Sequence, residues 1–272
     1  MPLKPPKIEI DPGKVMESSG ASTDPSTEGV GEAVPSAPET VVETDTEGRQ
    51  QVSTLRDGQL DGDSVSSAAD GRVMQKARFA AGQPNGPFIS YDEEGRPLQE
   101  GFFQDGRLHG DMTIYEEGRP RTRIHYSEGL QDGETVQYDE FGTLTIRERY
   151  RGGKREGLSE IFDRQGRQLV QARYQAGKLN GERLEFYPGG QVRERATYLD
   201  NRLEGRLVRY FESGAVMEID FYRKDKPVGP RREFNADGSE KKDSLWIRFW
   251  RWRVSRRKQN LEDPNVVGGV RG

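Results

Sequence analysis

Apolar and polar residues alternate in short runs along most of this chain. In ERLEFYPG, Leu184 and Phe186 alternate with Arg183 and Glu185, and in the following QVRERATY the residues Val192, Ala196 and Tyr198 fall on a common face. A period of two puts one set of side chains on one side of a strand. Polar segments that close on glycine, such as DEEG, DEFG, FESG and NADG, separate the runs. A type I turn followed by a left-handed residue favours glycine at that place. The alternate connections, DGRLHG and AGKLNG, open with glycine instead. Pro97, Pro120, Pro188 and Pro227 fall at run edges or in turns, where a strand tolerates them. The pattern predicts antiparallel β-hairpins.

The hairpins recur with a fixed step. Gly58, Gly82, Gly106, Gly129, Gly153 and Gly177 form one series, continued by Asn201 and Asp225, the residue types that best tolerate positive φ in place of glycine. A second series runs from Gly62 to Gly229 and a third from Gly71 to Gly238. Each steps by 24 residues, except for one step of 23 where the turn ending at Gly118 is a residue short. One aromatic row rides on this frame as Tyr91, Tyr115, Tyr138, Phe162, Phe186, Tyr210 and Phe234. The other comprises Phe79, Phe103, Tyr126, Tyr150, Tyr174, Tyr198, Tyr222 and Trp246. Two residues before the latter row the side chain is often small (Ala77, Gly101, Ala172, Ala196), leaving room for an aromatic ring. Such an array is quasi-one-dimensional, each unit packing mainly on its neighbours. The expected fold is all-β, an elongated meander of about seven 24-residue units.

These residues resemble the MORN repeat, most clearly in GFFQDGRLHG at 101–110, where an aromatic, Gly106 and His109-Gly110 stand in the family's spacing. The 24-residue step and the glycine turns are similar to the longer bacterial variant of YwqK-type antitoxin proteins. The resemblance covers residues 58–247. It implies a twisted run of β-hairpins used for protein binding or, in some members, for membrane association or dimerisation.

Composition divides the chain further. Residues 1–57 hold five Lys/Arg against eleven Asp/Glu, and residues 241–272 hold nine against three, so the two ends carry opposite charge. Residues 1–50 have no aromatic and are rich in Ser, Thr, Pro, Glu and Gly, which predicts a disordered acidic tail. Within it, Lys7–Ile10 (KIEI) has the alternation of a short strand able to add to a sheet edge. The repeat domain is expected over 51–247, with 51–79 as a degraded first unit capping the sheet: Leu55 stands 24 residues before Phe79, and Ser67 replaces an aromatic. Residues 248–272 form a basic aromatic tail. There Phe249, Trp250, Arg251, Trp252, Arg253, Arg256, Arg257 and Lys258 are the candidate partner- or lipid-binding residues. A cap on the sheet end, an anchor in anionic lipid and an anchor in a protein all suit Trp and Arg.

Little in the sequence points to catalysis. With no cysteine and with only two histidines, His109 and His125, no thiolate or histidine-based metal or nucleophile site is expected. GGKREG and AGKLNG lack phosphate-loop spacing, and the repeat accounts for their glycines. The expected protein is not an enzyme and carries no cofactor. The acidic balance of the middle of the chain argues against nucleic acid, whose affinity rests on phosphate neutralisation. With no apolar run of transmembrane length, the expected location is the cytoplasm, peripheral to a membrane if the tail docks there. The leading functional expectation is a module that binds another protein, of antitoxin, immunity or adaptor type. A membrane-proximal scaffold and a structural subunit of a larger assembly are the alternatives.

Overall fold

A computed structural model describes residues 36–241. Every regular element among them is a β-strand, nineteen in all, and every pairing is antiparallel. Two compact units divide at Gly142. The first unit contains β1 (Glu39–Thr44), β2 (Gln50–Arg56), β3 (Gln59–Ser67), β4 (Val73–Ala80), β5 (Gln83–Tyr91), β6 (Pro97–Gln104), β7 (Arg107–Leu108), β8 (Gly110–Glu116), β9 (Arg119–Ser127) and β10 (Leu130–Tyr138). Consecutive strands pair from β1 to β6 and from β8 to β10, while β7 and β8 both pair with β6. The second unit contains β11 (Leu144–Arg151), β12 (Lys154–Phe162), β13 (Gln168–Gln175), β14 (Lys178–Phe186), β15 (Val192–Leu199), β16 (Arg202–Tyr210), β17 (Val216–Arg223), β18 (Lys226–Pro227) and β19 (Arg232–Glu233). It is again a meander, with β18 and β19 both on β17.

The regular structure begins earlier than the boundary expected at residue 51. β1 lies inside the stretch assigned to the acidic tail, and it shields β2, which is therefore not the edge strand. The physical reason is local. Asp45 Oδ1 accepts hydrogen bonds from the backbone N–H of Glu47 and Arg49, and the Arg49 Nε donates to Oδ2 at 2.7 Å. Asp92 with Arg96 and Asp163 with Arg167 fix the same D-x-x-G-R turn further along. The β-branched run Thr40-Val41-Val42 then supplies a strand for that turn to fold back. Residues 1–35, KIEI among them, lie outside the described residues.

The three glycine series have different tasks. In the first, two-residue turns place both central residues at positive φ, as at Asp105 and Gly106 (48° and 76°) and at Asp200 and Asn201 (52° and 67°). Mirror-image turns of this kind match the twist of a hairpin. The second series was expected to close a longer connection. Instead, at Gly62, Gly86, Gly133, Gly157, Gly181 and Gly205 the strand runs straight through it, and the register shifts beside it, as at Gly86; only at Gly110 and Gly229 is the strand broken. Gly86 has φ of 132°, and a Cβ there would lie 2.9 Å from the Cβ of Arg78 on the neighbouring strand. Gly86→Ala is therefore expected to lose about 1–3 kcal/mol in urea unfolding. Gly106→Asn should stay within about 1 kcal/mol, because Asn tolerates the left-handed region. Equal losses at the two sites would contradict this assignment.

Successive strands also place the two aromatic rows on opposite faces. Ala196 pairs with Arg183 and Leu184 with Arg195, so Tyr198 shares the face of Arg183 while Phe186 shares that of Leu184. A bulge ahead of Glu194 pairs Val192 with Phe186, which removes Val192 from the face expected for it. In the first unit the Phe79 face is the core: Leu55, Leu60, Phe79, Phe88, Phe103, Leu108, Met112, Ile124 and Tyr126 are all buried there. The small residue of the repeat does make room for a ring, but the ring comes from the adjacent strand. A Cβ on Gly101 would lie 2.6 Å from Cε1 of Phe88, whose ring centroid stands 5.0 Å from that of Phe103.

Candidate functional site

Two surfaces carry more side-chain chemistry than a repeat needs for packing. One is a cleft on the outward face of the first unit, on the side opposite the core. Pairing across β3 to β8 brings Val65, Lys76, Ile89, Glu100 and Thr113 into one row. Asp63, Pro87, Phe102 and Asp111 stand beside that row, and together with the intervening Ala77, Phe88 and Gly101 these residues line a cavity of about 670 Å³. Its apolar wall is open to solvent, with Phe102 43% exposed. An exposed apolar patch with a polar rim marks an interaction surface. The rim is acidic. Arg78 stands 3.9 Å from Asp63, and His125 Nδ1 lies 2.7 Å from an Asp111 oxygen. Glu100 accepts a hydrogen bond from the Tyr115 hydroxyl, and burial together with that carboxylate pushes the tyrosine up to about 12.

The other surface is the corresponding inner face of the second unit. Where the first unit has Phe88, the second has Arg183, which pairs across to Ala172 and Ala196 and is 2.6 Å from Glu185. The ladder continues from Glu194 to Arg209 (2.9 Å), Arg209 to Glu218 (2.6 Å), Glu218 to Arg231 (3.3 Å) and Arg231 to Asp220 (3.0 Å). At its start, Arg155 reaches Glu148 at 3.3 Å and lies 3.9 Å from the Tyr174 ring centroid. The Tyr150 hydroxyl donates to Glu148, and burial plus that charge raise its pKa. Opposite charges alternate along most of the ladder, although Glu185 pairs across to Glu194 and Asp220 stands beside Glu218. Among the described residues no cluster of three or more His, Cys, Asp or Glu side chains is placed to hold a metal ion.

The aromatics read from the repeat are split by this difference. Phe79, Phe103 and Tyr126 are buried, whereas Tyr150, Tyr174, Tyr198 and Tyr222 are only half-buried beside the charged ladder. Trp246 and the candidate binding residues Phe249, Trp250, Arg251, Trp252, Arg253, Arg256, Arg257 and Lys258 lie outside the described residues. The cleft residues were not singled out from the sequence, though their spacing is there: Asp63, Pro87 and Asp111 step by 24, as do Val65, Ile89 and Thr113. What hid them is that each step changes residue type.

Residues 179–200, which form β14, its turn and β15, match the MORN repeat variant. The strand–turn–strand unit matched there recurs on either side with the 24-residue step. No curated protein matches the chain. Among solved structures it is similar to the crystal structure of the GtfA/B complex bound to UDP and GlcNAc. That match has 19% identity and a TM-score of 0.20, over 54% of this chain and 25% of the other. No helix among the described residues is long and apolar enough to cross a membrane.

Proposed function

We propose that this MORN-repeat chain is a non-enzymatic module that binds another protein, in the manner of an antitoxin, immunity or adaptor factor. The observation that carries the reading is the outward cleft of the first unit. It is concave and ordered, has an apolar wall and an acidic rim, and is built on strands rather than loops. Both sequence alternatives, a membrane-proximal scaffold and a subunit of a larger assembly, rest on the tails.

Affinity capture with the full-length chain from its native cells tests the module. A stoichiometric protein is expected with the natural sequence, reduced at least tenfold by Phe102→Ser combined with Asp111→Lys, since loss of a central aromatic contact costs more than ~1.4 kcal/mol. Asp111 is 61% exposed and Phe102 43%, so circular dichroism and the urea midpoint of the double variant check that the fold is kept. Capture that yields no stoichiometric protein, or the same yield from the variant, overturns the reading.

A further inference from the structure

The lining of the cleft specifies what fits it. Asp63, Glu100 and Asp111 outnumber Lys76 in the lining, with Arg78 beside Asp63 and His125 beside Asp111 on the rim, around an apolar wall of Val65, Pro87, Ile89 and Phe102. A complementary segment has several positive charges interleaved with large apolar side chains, because aromatic anchors fill apolar hollows while rim charges set orientation and encounter rate. The cavity is within the size range of sites that bury most of a small ligand, so it accommodates an indole ring. This chain contains such a segment. Residues 248–258, RFWRWRVSRRK, interleave Phe249, Trp250 and Trp252 with six Arg/Lys residues. They belong to a basic stretch, residues 241–272, whose charge is complementary to the carboxylates of the cleft, which favours encounter.

Building on the protein-binding reading, we infer that the cleft of the first unit receives residues 248–258 of a second copy of this chain. The contact is heterologous: it joins two different patches, leaves one cleft and one basic segment free, and so propagates with concentration. The donor segment contributes its tryptophans to the apolar wall and its arginines to Asp63 and Asp111. Both of these carboxylates are exposed enough to meet it, at 76% and 61%.

All three tryptophans of the chain, Trp246, Trp250 and Trp252, lie in or beside this segment, so fluorescence excited at the red edge, where the ten tyrosines do not absorb, reports on it in the full-length protein. Emission maximum and acrylamide quenching followed across a dilution series give the association constant. Shielding of tryptophan is expected at high protein concentration and its loss on dilution. Phe102→Ser should weaken association about tenfold, equivalent to ~1.4 kcal/mol. The charge-reversed pair Asp63→Lys with Asp111→Lys should weaken it at least as much, and adding Arg251→Glu with Arg253→Glu should restore it. Leu199→Ser, at an exposed apolar side chain in the second unit, should leave association unchanged and controls for fold disturbance.

Shielding that does not depend on concentration overturns the assignment to a second copy, as does shielding that survives the charge reversal. Shielding seen only with phosphatidylserine vesicles overturns it in favour of a membrane. If the tryptophans stay exposed at every concentration while affinity capture still yields a cleft-dependent partner, this inference fails and the module reading stands.

Discussion

Phe88→Ala is expected to lower the unfolding free energy by roughly 3–5 kcal/mol, a loss typical of a fully buried phenylalanine. Phe88 is 2% exposed and belongs to the apolar cluster of the first unit. Its ring covers the space over Gly101 and tilts against Phe103, so truncation leaves a cavity bounded by a residue with no side chain to collapse into it. The neighbouring site supplies an internal check. Gly101→Ala should by itself destabilise, because the new methyl would meet Cε1 of Phe88 at 2.6 Å. Combined with Phe88→Leu its cost should shrink, since the two sites compete for one volume and their effects are non-additive. Tyr174→Ala, in the second unit and in the row of Phe79 and Phe103, should cost only about 1–2 kcal/mol, because that ring is half-buried under Arg155. Urea unfolding of the four variants decides this; equal losses at Phe88 and Tyr174 would mean that the two units share one kind of core.

That contrast marks how far the sequence could be read. The 24-residue step reports which positions repeat, and backbone geometry follows from it, because turns and strands depend on local residue types such as Asp105-Gly106 and the alternation in ERLEF. Antiparallel hairpins and the non-glycine turns at Asn201 and Asp225 were legible for that reason. Packing was not, because the period says nothing about what fills a position. Row for row, Phe88 in one unit corresponds to Arg183 in the other, and the aromatics beside them change from buried to half-buried accordingly. The limit of β1 was legible in principle, since DTEGR at 45–49 repeats the pattern of DEEGR at 92–96. Low aromatic content masked it: a strand that shields an edge needs backbone pairing and a turn more than it needs large side chains. The cleft was hidden for a related cause. Its residues are adjacent only across strands, and their chemistry emerges from the row and not from any segment.

Arg231→Met is expected to cost about 2–3 kcal/mol, less than a fully buried pair because the arginine is itself 35% exposed. It leaves Asp220, whose side chain is 7% exposed, without its cation, while Glu218 keeps Arg209 at 2.6 Å. Acid should partly repair the variant. Burial raises the pKa of Glu218, the adjacent Asp220 carboxyl raises it further, and Arg231 and Arg209 pull it down. A carboxyl that holds its proton more tightly folded than unfolded destabilises the fold as pH rises from the ordinary glutamate value of 4.5 through the raised one. Removing Arg231 widens that window, so the stability of Arg231→Met relative to the natural chain should recover on going from pH 7 to pH 5. Glu185 works in the opposite direction. Its burial penalty is outweighed by hydrogen bonds from Arg193 and Arg183, which lower its pKa, so its contribution persists above 4.5 and is lost only as pH falls below that value. The two windows lie on either side of pH 4.5, which separates them in a pH series of urea midpoints. A deficit in Arg231→Met that stays constant from pH 7 to pH 5 would show that Asp220 and Glu218 are solvated once the arginine is gone, and that the ladder is a surface feature and not the polar counterpart of the core around Phe88.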